Sequence, residues 1–211
     1  MSRGSPKDAA AAVGFSVHTG WALAIVVSGS PDAPRPLLRR RLTLTEARGH
    51  GFVFHRAAEA LAAGRALSHA ERMVQSARRD VSRRAKAELR KVWAELPSGT
   101  KLATAGMVLS NAAPPSDLAR ILHAHPLVHA AEGALFREAV AAACRARRVP
   151  VLGVPARELT ARAAAALRVP VGRLPGRLRE AGLALGRPWG RDEKDAFLVA
   201  WLALAGAPHA A

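Results

Sequence analysis

Two apolar runs open the folded part of the chain, "AVGFSVH" and "WALAIVVS", with Thr19-Gly20 between them. Apolar and β-branched runs bounded by a glycine turn predict two adjacent strands, over 12–18 and 21–28. "SGSPDAPRP" then reads as a loop, rich in Ser, Gly, Pro and Asp. "LLRRRLTL" (37–44) predicts a third strand, with Arg39 and Arg41 on one face and Leu38, Arg40 and Leu42 on the other. From His55 the period changes from two to about 3.6. Leu67, Ala70, Val74, Ala77, Val81, Ala85, Leu89, Val92 and Leu96 recur at spacings of three and four, which predicts a long helix beyond a break at Gly64. "KLATAGMVLSN" (101–111) predicts a fourth strand, and "VPVLGVP" (149–155) a fifth. Helices are expected over 116–123, 126–147, 156–167 and 174–185, with an apolar closing helix in "DEKDAFLVAWLALAG". Strands that alternate with helices in the second half call for parallel pairing there. The expected fold class is α/β, a mixed five-stranded sheet with helices on both faces.

Charge changes the picture at the long helix. Arg65, Arg72, Arg79, Arg83, Lys86 and Arg90 fall in one narrow sector opposite the apolar stripe, a basic row about 38 Å long. Glu71, Asp80, Glu88 and Glu95 lie off that sector. The formal net charge is +16. A field of that sign attracts polyanions, nucleic acid first among them. Arginine and alanine are also what a GC-rich coding sequence supplies, so the alignment of the charges says more than their sum. These six residues are the candidate nucleic-acid contacts; a solvated helix face is the alternative.

Other features bound the class. Cys144 is the single cysteine, which excludes an internal disulfide and suits a reducing cytoplasm. It lies among alanines and reads as a packing residue. No apolar run reaches the ~20 residues that span a bilayer, so no membrane partner is expected. Residues 1–11 read as a disordered lead, 12–206 as a single domain and 207–211 as a tail.

Three segments together carry a resemblance. "VGFSVHTGWALAIVV" is a hairpin whose turn has a Thr-Gly-aromatic pattern. "HAAEGALFREAVAAACRARRVPVLGVPARELT" is a helix rich in small residues followed by a strand ending in Pro. "RDEKDAFLVAWLAL" places two aspartates three residues apart before an apolar run. In this order the chain resembles the ribonuclease H-like superfamily, and within it the RuvC-type Holliday junction resolvases, over about residues 12–205. The resemblance implies a ribonuclease H-like sheet, a possible homodimer, and work in DNA repair or recombination. It also implies carboxylates from the first strand, the fourth strand and the last helix that hold two divalent ions for phosphodiester cleavage.

Carried over by position, that acidic set is incomplete. Asp192 and Asp195 match the closing pair and are the candidate metal ligands, for Mg²⁺ or Mn²⁺ if the site is active. The first-strand acid is replaced by Ser16, and the fourth-strand acid falls at Ser110 or Asn111. His18 shares the face of Ser16. Glu132 sits in an apolar stretch, so it needs a partner or a raised pKa. Asp192, Asp195, His18 and Glu132 are therefore the candidate catalytic residues. The alternative for Glu132 is a structural pairing with His129, His18 or an arginine. His55 reads as a capping residue or a site member. Trp21, Trp189 and Trp201 read as packing residues, with base stacking the alternative for Trp189. The expected function is a nucleic-acid-binding protein of ribonuclease H-like fold with a degenerate nuclease site. An active metal-dependent endonuclease with a rebuilt site, and a protein-interaction module without catalysis, stay open as alternatives.

Overall fold

β1 (Ala9–His18) alternates its side chains between two cores, and the rest of the molecule is arranged around it. The computed structural model describes residues 9–46, 52–111 and 113–206. β1 turns at Thr19-Gly20 into antiparallel β2 (Trp21–Ser30), with Gly20 at φ +84°. β3 (Ala33–Thr43) pairs antiparallel with β2, while β4 (Thr100–Leu109) and β5 (Val151–Pro155) extend the other side in parallel. The order is β3-β2-β1-β4-β5, a mixed five-stranded sheet with β1 at its centre between β2 and β4.

Strand boundaries differ from the sequence reading by three residues or more in two places. β1 begins at Ala9, because residues 9–11 continue the ladder onto Thr100, Lys101 and Leu102 of β4. They belong to the strand rather than to the lead. β3 begins at Ala33 rather than 37, taking in Pro34 and Pro36. Proline removes a ladder donor and argues against an inner strand, but β3 is an edge strand and tolerates it. Residues 1–8 and 207–211, the rest of the expected lead and the tail, lie outside the described residues.

One face of the sheet packs on α1 (Val53–Ala62), α2 (Leu67–Ala94) and α4 (His125–Arg145), with short α3 (Leu118–Leu122) beside α4. Ala11, Val13 and Phe15 of β1 point into that core. α1 and α2 are separated at Gly64, whose φ is +80°. Ala70, Val74, Ala77, Val81, Ala85, Leu89 and Val92 form the buried side of α2. The other face packs on α5 (Leu159–Leu167), α6 (Leu174–Leu185) and α7 (Arg191–Gly206). α7 is buried without interruption from Ala196 to Leu204. It lies directly on β1 and β4 because both strands offer glycine there. A Cβ on Gly14 would sit 1.9 Å from the Ala196 carbonyl oxygen, and one on Gly106 2.2 Å from that of Val199. No helix among the described residues is long and apolar enough to cross a membrane.

Candidate functional site

The approach of α7 to β1 brings the first turn of α7 to the end of β1. Ser16 and His18 point to the same side of the strand, toward α7. Ser16 Oγ donates to Asp192 Oδ1 at 2.9 Å, and His18 Nε2 lies 2.8 Å from the same oxygen. An ionised carboxylate only accepts, so His18 carries its proton on Nε2. His18 stacks on Trp21 at 4.2 Å with an 11° interplanar angle, and the Arg41 guanidinium lies 3.6 Å from the Trp21 ring centroid. This three-layer stack fixes the imidazole. The loop ahead of α7 is held from β3, where the Arg39 guanidinium donates to the carbonyls of Gly186, Arg187 and Pro188.

A serine, a histidine and an aspartate in mutual contact invite comparison with a nucleophilic triad. The wiring is wrong for one. A relay needs the acid on one ring nitrogen and the hydroxyl on the other. Here Ser16 lies 3.3 Å from Nε2, the same nitrogen that faces Asp192, and the hydroxyl proton goes to the acid. The cluster is a hydrogen-bonded lock rather than an activated serine.

Nor does the corner carry the oxygens of a two-ion centre. Such a centre takes its charge from several carboxylates. Ser16 is neutral, and Asp192 Oδ1 already accepts two hydrogen bonds. Asp195 Oδ2 lies 3.5 Å from Arg191 Nε, and burial pushes its carboxyl above the ordinary aspartate value while Arg191 opposes the shift. Asn111, past the end of β4, accepts from the Arg157 backbone N–H at 3.4 Å, and Ser110 Oγ accepts from Arg137 at 2.9 Å. This donor set does not fit a pair of Mg²⁺ or Mn²⁺ ions.

Glu132 is not brought to this corner. α4 lies in the opposite layer, where Glu132 accepts from the Phe54 backbone N–H at 3.0 and 3.3 Å and so caps the start of α1. Burial pushes its carboxyl up to about 7, against the N–H groups of Phe54 and Val53 and the charge of Arg56. His55 Nδ1 lies 4.0 Å from Glu132, beside His125 and His129. Burial, then the two neighbouring imidazoles, hold His55 below the usual histidine value. Among the described residues, neither His129, His18 nor an arginine, the partners the sequence suggests for Glu132, hydrogen-bonds to it; it accepts instead from a backbone N–H group.

The basic row of the sequence is realised on the surface. Arg65 precedes α2, and Arg72, Arg79, Arg83, Lys86 and Arg90 follow along its outer side, all exposed. Arg83 pairs with Asp80 at 2.5 Å. The cations off the row are engaged: Arg78 with Glu138, Arg84 with Glu46, Lys91 with Glu88. Among the described residues, the other five of the row have no ion pair. Trp201 is buried and donates to the Pro31 carbonyl, and Trp189 packs on Phe197 and over Gly182, so both serve the α7 core.

No family profile matches this sequence, and no curated protein matches it. Solved structures with a similar fold include "Thermus thermophilus RuvC structure", at 11% identity over 91% of this chain and 92% of that one, with a TM-score of 0.49. "T. thermophilus RuvC in complex with Holliday junction substrate" is 12% identical over 91% and 90%, with a TM-score of 0.46. The yeast mitochondrial Holliday junction resolvase Ydc2 is 12% identical over 92% of this chain and 80% of that one, with a TM-score of 0.48.

Proposed function

We propose that this chain binds nucleic acid along α2 and does not cleave it by the two-ion route of the superfamily it resembles. The observation that carries the proposal is the row Arg65, Arg72, Arg79, Lys86 and Arg90: one sign, exposed, collinear and, among the described residues, without ion pairs. Neighbouring cations on α2 have acidic partners, which solvated charge on a helix tends to acquire. Like charges held in line repel one another, and a polyanion running beside them relieves that repulsion while releasing its own counterions. The row faces outward from the layer opposite the Ser16–Asp192 corner, which gives nucleic-acid binding a surface that owes nothing to a metal site.

The test is the salt dependence of binding to labelled duplex DNA, by fluorescence anisotropy. Changing Arg72, Arg79, Lys86 and Arg90 together to Gln leaves the buried side of α2 intact. The log–log slope should become shallower by about 0.9 for each phosphate that the variant no longer neutralises, so by about 3–4. Unchanged affinity and slope would make the row a solvated face and favour a protein-interaction role.

One observation supports a second reading, an endonuclease with a rebuilt site. His18 Nε2 stands beside Asp192, and a mixed imidazole–carboxylate set suits Mn²⁺ better than Mg²⁺. That reading expects Mn²⁺-dependent cleavage abolished by His18→Ala.

A further inference from the structure

Three of the eight histidines converge on the layer opposite the Ser16–Asp192 corner. His125 and His129 stand one turn apart on α4, and His55 reaches them from the first turn of α1. One nitrogen of each lies within 4.8 Å of the others, and this is the one such convergence of three His, Cys, Asp or Glu side chains among the described residues. Nε2 of His125 and Nε2 of His129 are 2.9 Å apart. The three rings pack edge to face, at interplanar angles of 70°, 83° and 87°.

Two further observations separate this group from a chance cluster. His55 Nδ1 is buried and has no hydrogen-bond partner among the described residues. The buried carboxylate of Glu132 lies 4.0 Å from it. Metal-bound imidazoles commonly turn their second nitrogen to a carboxylate, which orients the ring and adds negative charge behind the ion. Both α1 and α4 begin here, and helix N-termini repel a cation. Glu132 is the group that offsets them.

We propose that His55, His125 and His129 bind one divalent transition-metal ion, zinc by preference, with Glu132 behind His55. Nε2 of His55 would serve as its ligand, leaving Nδ1–H for the carboxylate. Zinc–imidazole bonds of 2.0–2.1 Å in a tetrahedron set ligand nitrogens about 3.3 Å apart. The present separations, from 2.9 Å to within 4.8 Å, bracket that value. His125 and His129 are exposed, so the fourth position faces solvent and takes water or an anionic oxygen. Neutral imidazole prefers zinc, cobalt or nickel to magnesium, which sets this site apart from one made of carboxylates. The inference does not rest on nucleic-acid binding.

The experiment uses the full chain without a histidine tag. Cobalt(II) is titrated and followed by its visible d–d absorption, zinc is used to displace it, and thermal midpoints are recorded with and without zinc. One equivalent of cobalt should bind with the intense absorption of a tetrahedral ion. Zinc at a hundredfold excess over its dissociation constant should raise the midpoint by about 5–10 °C. His129→Ala and His125→Ala, both at exposed positions, should each weaken binding more than about 100-fold while leaving the metal-free midpoint nearly unchanged. Glu132→Gln keeps the acceptor that caps α1 and should cost about 10–100-fold. Asp192→Asn and Asp195→Asn should leave binding as it is. Absence of a tetrahedral cobalt spectrum and of any zinc-dependent midpoint shift would overturn the proposal. So would stoichiometric binding indifferent to His129→Ala.

Discussion

A hydroxyl at position 16 holds Asp192 against β1 through a hydrogen bond. Ser16 and His18 both spend their protons on one oxygen of that acid. An aspartate in place of Ser16 would instead set two carboxylates about 3 Å apart. Ser16→Asp should therefore lower the thermal midpoint in metal-free buffer, a destabilisation of about 1–3 kcal/mol. Added Mg²⁺ should recover part of that stability. The wild-type midpoint should not respond to Mg²⁺ at millimolar concentration. Thermal melts of both proteins, with Mg²⁺ and with chelator, check this; a wild-type midpoint raised by Mg²⁺ and insensitive to it after Asp192→Asn would mean that the corner holds the ion. At the same scale, Cys144 is fully buried and burial pushes its thiol up to about 12. The thiolate is the reactive form, and at pH 8 it is about one part in 10⁴. Ellman's reagent should leave the folded protein unmodified and react stoichiometrically once denaturant unfolds it.

Among the elements, α7 makes the tightest fit. Its backbone rests on Gly14 and Gly106, and there is no room for a methyl group at either. Gly14→Ala should push α7 off the sheet at a cost of about 3 kcal/mol or more, an overpacking penalty at the top of the usual range. Urea denaturation should show the midpoint falling with little change in slope. Glycine inside a strand does signal close backbone approach, so "AVGF" and "TAGM" held this contact in plain view. What approaches them was not readable, since α7 is apolar on every side and its pattern names no face. α2 is the opposite case. Its period separates buried from exposed residues cleanly, and the seven buried positions all belong to the predicted stripe. Contacts to backbone atoms left no trace in the sequence. Glu132 capping α1 and Arg39 holding the 186–188 carbonyls both bind groups that every residue carries. Arg39→Ala frees three carbonyls, and amide hydrogen exchange over 186–192 should quicken at least tenfold, while β1 and β4 keep their protection.

Over the whole molecule, the mixed five-stranded sheet followed from the meander and the alternation of strands and helices. Position carried much of the corner as well: strand alternation put Ser16 and His18 together, and the resemblance set Asp192 opposite them. The histidine group was only half legible. His125 and His129 are four apart on one helix, but His55 arrives from 70 residues earlier through tertiary packing. The molecule is thus organised with its hydrogen-bonded corner on the α7 side of the sheet and its basic row on the α2 side. We propose that the two act together, so that nucleic acid is held but not cut. The direct measurement is incubation of end-labelled four-way junction, flap, duplex and RNA–DNA hybrid with protein at saturating binding, in Mg²⁺ and separately in Mn²⁺, followed by denaturing gels. Retained complexes with intact strands in both ions are the result this account predicts. Cleavage that requires the divalent ion and disappears with Asp195→Asn or His18→Ala would contradict it and establish a working nuclease at Ser16, His18 and Asp192.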